Sequence, residues 1–302
     1  MTLKQNFLNN FLVNEFRSII NWNKLRPING IPHGHFYSPI ISKNDMAIYE
    51  KQLNEDYSKD SIQGIDLNLE EQLSLIKSFS AYYNEIPFPE TKNNSCRYYF
   101  CNNSYSYTDA IILYSFIRHF KPERIIEIGS GFTSALMLDT KDHFLNDLEL
   151  TFIEPYPQLL FSLLSEKDKK NCKVFITKVQ DVALAEFKSL EANDILFIDS
   201  SHVSKTGSDV NFEIFKILPT LKPGVFIHFH DIFYPFEYPK ELVYKGFNWN
   251  EDYLLKAFLS YNDHFKIVHF SQYIHNHHPS AFNDMPLAFK NSGGNLWIKK
   301  IK

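Results

Sequence analysis

The sequence predicts an α/β fold: a doubly wound, mostly parallel sheet with helices on both faces, preceded by a helical N-terminal cap. From residue 106 onward, short β-branched or aromatic runs alternate with stretches of helical periodicity. Regular alternation of this kind implies parallel strands joined by right-handed crossovers. The first such run, Ile125-Ile126-Glu127-Ile128, opens directly into Gly129-Ser130-Gly131, a turn suited to the carboxyl edge of an open α/β sheet, where ligands bind. Residues before 106 show no strand–helix alternation. The chain is therefore divided into a cap and substrate-lid region, 1–105, and a catalytic domain, 106–302.

Within the cap, Leu3, Phe7, Leu8, Phe11, Leu12 and Phe16 recur at helical spacing, which predicts an amphipathic first helix. Its polar face is mostly Asn rather than basic, so the apolar face is expected to pack on protein, the body or a second subunit, and not on a membrane. A polar turn around Pro32-His33-Gly34-His35-Phe36-Tyr37-Ser38-Pro39 follows, then a helix near 67–83 stopped by Ile86-Pro87-Phe88-Pro89. Asn93-Asn94-Ser95 and Asn102-Asn103-Ser104 mark loops. Leu113, Phe116, Ile117 and Phe120 form the stripe of a helix just ahead of the first strand. Strands are expected at 124–128, 150–154, 173–177, 194–199, 224–230, 265–270 and 295–301, and helices at 158–165, 182–190, 209–218 and 251–259. No helix of convincing length separates the last two strands, which predicts that they pair antiparallel.

Composition narrows the class. A chain of 302 residues can bury roughly three quarters of its unfolded surface, and the 28 Phe and 17 Tyr are expected mostly in its core. Net charge is −4 and the 31 basic residues are scattered, so no nucleic-acid footprint is expected. Cys96, Cys101 and Cys172 include no C-x-x-C pair, which argues against a disulfide framework or zinc finger and fits a reducing cytoplasm. No stretch is apolar enough to span a bilayer. A cytoplasmic enzyme with no membrane partner is expected, with homo-oligomer formation open.

The glycine turn carries the first chemical signal. Gly129 and Gly131 allow close backbone approach to a ligand, and Thr133 or Ser134 can cap the following helix. A dinucleotide fingerprint would place glycine or alanine where Ser134 stands. Glu127, two residues before the first glycine, sets a carboxylate at the strand tip, which suits a ligand with an ammonium group. This E-x-G-x-G pattern resembles motif I of class I S-adenosylmethionine (SAM)-dependent methyltransferases, whose Rossmann-like seven-stranded sheet also ends as this chain does. The resemblance implies SAM as cofactor, with Glu127, Gly129, Ser130, Gly131 and Thr133 around it. It further implies Glu154, followed by Pro155, on the ribose hydroxyls, Asp181 on the adenine amine, and Asp199 beside the methyl donor.

Asp199 and His202 follow the fourth strand, and His230 and Asp231 end the fifth. Parallel neighbours bring these tips together, and two carboxylates with two imidazoles can bind a divalent metal or run acid–base chemistry. The D-x-x-H and H-D pairs resemble the methyltransferases that include macrolide and aminocoumarin sugar O-methyltransferases and, more distantly, catechol O-methyltransferases. That resemblance implies Asp199, Asp231 and His230 as candidate ligands of Mg2+ or another divalent ion. It makes His202 the candidate base, with Asp199 and His230 as further catalytic residues. Ile232 stands where these families often carry another oxygen ligand. The acceptor is expected to be a hydroxyl of a small molecule or saccharide, bounded by the aromatic loop 233–239, by Trp249-Asn250-Glu251 and by His35, Phe36 and Tyr37 from the cap. His275, His277 and His278 are expected in a solvated loop. Two other classes stay open: a metal-dependent hydrolase-like enzyme using Asp199, His202, His230 and Asp231, and a non-catalytic SAM-binding scaffold.

Overall fold

The computed structural model describes residues 34–302, so the expected first helix lies outside the described residues. Two compact units divide after Gln52. In the first, Gly34 N donates to Ile40 O at 2.9 Å to close a turn in which His35 stacks on Phe36, and Phe36 and Tyr37 are largely exposed. A helix, Lys43–Tyr57, starts after Ser42, whose Oγ accepts from Asp45 N.

The second unit, Leu53–Lys302, takes in residues 53–105 together with the sheet. Seven strands run in the order β3-β2-β1-β4-β5-β7-β6: β1 Arg124–Ile128, β2 Glu149–Ile153, β3 Lys173–Phe175, β4 Ile195–Ile198, β5 Phe226–His230, β6 Phe265–Phe270 and β7 Asn295–Lys300. β1 to β5 are parallel; β7 lies antiparallel between β5 and β6. The expected antiparallel ending is present, with β7 inserted inside β6. Every residue of β4 and β5 is buried, which requires cover on both faces and explains the unbroken apolar reading of β4.

The helix Tyr107–Phe120 is buried from Thr108 through Ile117 and packs between helices Leu69–Tyr83 and Phe132–Phe144. Phe116 lies flat on Trp297 of β7 at 3.8 Å. Leu69–Tyr83 is tied to the sheet edge: Gln72 Oε1 accepts from Phe270 N at 2.7 Å, and Asn68 Nδ2 donates to Ile267 O at 3.1 Å.

Helical periodicity located the elements better than their extent. The stretch expected as one helix over 209–218 is helical at Asp209–Phe212, widens into a π-turn at Glu213–Ile217 and tightens at Leu218–Thr220. A short helix, Ser271–His277, stands where a solvated loop was expected. There His275 stacks on Phe282 at 4.2 Å and lies 3.2 Å from Thr108 Oγ1; burial lowers its pKa to about 4. Packing on the buried helix Tyr107–Phe120 overrides the polar character of that stretch.

Candidate active site

The sheet order places the crevice. Strand order reverses between β1 and β4, and open α/β sheets bind ligands outside the carboxyl ends at such a point. Asp199 N donates to Ile128 O at 2.8 Å, drawing the two tips together. Gly129 turns there with φ +81°, and a Cβ on it would stand 1.7 Å from Asp199 O. Only glycine fits that position.

Two cavities flank this junction. One, of about 480 Å³, is lined by Gly129, Glu154, Tyr156, Gln180, Asp199 and Ser200, among others. The second, of about 210 Å³, is lined by Tyr105, Ser130, Gly131, Thr133, Glu154 and Asp199, among others. Gly129, Glu154 and Asp199 belong to both, so one elongated ligand can cross from one to the other over them. Their sizes suit a cofactor-sized molecule.

Glu154 follows β2 and curls over the glycine turn. Its Oε2 accepts from Ser130 N at 3.1 Å and its Oε1 from Tyr156 N at 2.7 Å, which fixes the carboxylate and leaves further lone pairs for a ligand. Pro155 lines the larger cavity beside it. Glu127 has a different place. It is fully buried, accepts from the hydroxyls of Thr133 and Ser134, and does not line either cavity. Burial pushes its carboxyl up to about 8 against those hydroxyl bonds. Glu127 thus braces the turn from behind. Neither Thr133 nor Ser134 is the helix cap: Gly131 holds that position, and its N donates to Ser134 Oγ at 3.1 Å.

Asp181 is exposed, ends a short 3-10 turn at Val179–Asp181, and lies outside the cavity wall. Lys178, Val179 and Gln180 form the wall at that place. The wall is completed by Ser201, Lys205 and Asp209, which the sequence did not single out. Ser201 Oγ donates to Asp209 Oδ1 at 2.6 Å, tying the loop after β4 to the helix Asp209–Phe212.

The expected convergence of the β4 and β5 tips is present. His202 Nε2 is 3.5 Å from Asp199 Oδ1 and 3.7 Å from Asp231 Oδ2, while its Nδ1 is 3.0 Å from Glu251 Oε2. Burial works against the imidazolium, but Asp199 and Glu251 outweigh it and hold the pKa well above the ordinary histidine value. Burial would likewise raise Asp199; His230 and His202 reverse this and hold it low. His230 Nε2 is 3.7 Å from Asp231 Oδ1. Burial pulls its pKa down, and Asp231, Asp199 and Asp109 together bring it above the usual value. Asp199 and Asp231 keep 32% and 29% of their side chains accessible, whereas His202 keeps 6%. Asp199 lines both cavities, Asp231 is similarly exposed, and the imidazole is buried against them.

Among the described residues, no group of three or more His, Cys, Asp or Glu side chains is arranged to hold a metal ion. His202 and His230 approach Asp199 and Asp231 at ion-pair distances. Asp199, Asp231 and His230, the expected ligand set, do not form such a group in this arrangement.

Residues 126–232 match the family described as Methyltransferase domain, a span from β1 through the residue after Asp231. An uncharacterized protein of Archaeoglobus fulgidus is 37% identical over 187 residues, which cover 58% of this chain and 81% of that one. Residues 126–232 of this chain are thus a methyltransferase domain. Solved structures similar to this methyltransferase include the apo form of CmcI-N160, at 14% identity, covering 74% of this chain and 84% of that one, TM-score 0.42. Another is the O-methyltransferase TomG of Streptomyces achromogenes, involved in tomaymycin synthesis and solved with SAM, at 13% identity, covering 76% and 90%, TM-score 0.42. These likenesses are too distant to bear on what the methyltransferase acts on. No described helix of the methyltransferase is long and apolar enough to cross a membrane.

Proposed function

We propose that this methyltransferase moves the SAM methyl group to a hydroxyl oxygen of a small molecule or saccharide, with His202 receiving the hydroxyl proton. The supporting observation is the placement of His202 Nε2 between Asp199 and Asp231, at the edge of a cavity that Asp199, Glu154 and Gly129 line. In this reading the adenosine occupies the larger cavity. Its ribose hydroxyls meet the Glu154 carboxylate, a charge-assisted contact, and its adenine lies beside Val179 and Gln180 rather than Asp181. The methionine end crosses Gly129 into the smaller cavity, beside Ser130, Gly131 and Thr133.

SAM supplies an activated sulfonium. As the acceptor oxygen bonds to the methyl carbon, the carbon–sulfur bond breaks, sulfur keeps the electron pair as a neutral thioether, and the hydroxyl proton passes to His202 Nε2. For Nε2 to accept that proton the imidazolium must first release its own to solvent, a loss that the sulfonium charge near Asp199 favours by lowering the proton affinity of His202. Alignment can contribute roughly 7–11 kcal/mol, and proton removal roughly 10²–10⁴-fold. No step runs through a metal ion. The aromatic loop 233–239 bounds the acceptor side.

The test is calorimetric titration of the full chain with S-adenosylhomocysteine, with and without EDTA, together with Glu154→Ala. Micromolar binding that survives EDTA and is lost in the variant is expected; no binding by folded wild type overturns the site. Tritium transfer from labelled SAM to a panel of glycosides then reports the reaction, which His202→Ala should slow by about 10²–10⁴-fold. Transfer undiminished in that variant removes His202 from the mechanism.

A further inference from the structure

His202 is gripped by one short segment, residues 249–251, which reaches it from the far side of β5 in sequence. Its backbone sits at φ +57°, a left-handed conformation costing about 1 kcal/mol or more for a residue with a Cβ. The His202 carbonyl accepts from both Asn250 N at 3.0 Å and Glu251 N at 3.3 Å. Asn250 also brackets Ser204, accepting from its N at 2.6 Å and donating to its O at 3.2 Å. The Trp249 ring covers the imidazole at 4.5 Å. Glu251, 1% exposed at the start of the helix Glu251–Leu259, meets Nδ1 at 3.0 Å. A buried carboxylate without a donor is costly, which favours Nδ1 as the donor nitrogen in this contact.

We infer that Glu251 is a positioning residue: it holds the Nδ1 proton of His202, leaving Nε2, the nitrogen that faces Asp199 and Asp231, as the one that exchanges a proton with the acceptor. This rests on the methyl-transfer reading above. Without Glu251 the ring could flip or change tautomer and present a protonated nitrogen to the hydroxyl. The backbone bonds to Asn250 N and Glu251 N do not depend on the Glu251 side chain, so an isosteric substitution removes the charge and leaves the strained loop anchored.

The experiment is nitrogen and proton NMR of the full chain labelled with ¹⁵N-histidine and saturated with S-adenosylhomocysteine, alongside His202→Asn to assign the signal and Glu251→Gln. The expected result is a far-downfield Nδ1–H resonance of His202 that is lost from its position in Glu251→Gln, while the variant keeps cofactor-product affinity within about threefold, a change of at most ~0.7 kcal/mol. The resonance unmoved in Glu251→Gln, or a His202 Nδ1 carrying no proton in wild type, overturns the inference. The wild-type spectrum alone decides if the variant fails to fold. Failure of folded wild type to bind S-adenosylhomocysteine would instead defeat the cofactor site; binding with an unmoved resonance defeats only the role of Glu251.

Discussion

Gly129→Ala should unfold the junction on which the cofactor site depends, and the structure separates the two causes. The first is conformational: φ +81° is a region where a Cβ costs roughly 1–2 kcal/mol. The second is steric. The added Cβ would lie 1.7 Å from Asp199 O, whereas real Cβ contacts stay above 3.0 Å, so the tips of β1 and β4 must part by about 1.3 Å, the difference between those distances. That parting breaks the bond from Asp199 N to Ile128 O, now 2.8 Å, worth about 1 kcal/mol, and strains a packed core by roughly 1–3 kcal/mol. The total is about 3–6 kcal/mol, or roughly 6–24 °C in melting temperature for a domain of this size. Gly246 is the control: its φ is +84° with nothing within 4 Å of an added Cβ, so Gly246→Ala carries the conformational cost alone. Differential scanning calorimetry of the two variants, with S-adenosylhomocysteine titrations of each, measures the contrast. Gly129→Ala melting within about 2 °C of Gly246→Ala and binding with equal affinity would refute the reasoning.

Two further outcomes follow from buried charge. The Glu127 carboxyl is pushed from 4.5 to about 8; because its folded value lies above the unfolded one, its stabilising contribution is present below 4.5 and is lost as pH rises through about 8. Urea midpoints should therefore fall across that window in wild type more steeply than in Glu127→Gln, and parallel pH profiles would contradict the burial argument. Arg97 joins Asp139 at 2.7 Å and Asp168 at 2.8 Å, with those carboxylates 2% and 6% exposed. Arg97→Ala leaves both unpaired and should cost about 3–5 kcal/mol by urea unfolding; a loss under about 1 kcal/mol would place this network among surface pairs.

How much of the site is legible in sequence follows from how an α/β sheet delivers its residues. Gly129, Glu154, Asp199, His202 and Asp231 lie at or just after strand ends, so a correct strand pattern suffices to bring them to one edge. The walls are less legible. Gln180 and Lys205 line the larger cavity from a short 3-10 turn and a loop whose path no periodicity specifies. Glu127 shows a different limit. Its position on β1 was readable, but the Thr133 and Ser134 hydroxyls take its carboxylate, and a strand-tip register cannot say whether a carboxylate faces the ligand or the turn behind it.

Glu251 was expected beside the acceptor, and its burial against His202 was not legible. Glu251-Asp252 at a helix start reads as the usual acidic first turn that complements the helix dipole, and nothing in nine residues of sequence says that Glu251 is buried against an imidazole 49 positions earlier. The same holds for Glu213, fully buried where the helix widens and bonded to Ser200 Oγ at 3.1 Å; burial and the nearby Glu251 raise its carboxyl well above the ordinary range. Residues that would meet the cofactor are thus local to strand ends, whereas Glu251, which meets His202 Nδ1, arrives from a helix whose own pattern is already satisfied. A buried acid on the apolar side of such a helix is the signal that remains, because an unpaired charge there is too costly to leave unmatched, and its partner is most economically sought among the titratable groups at the neighbouring strand tips.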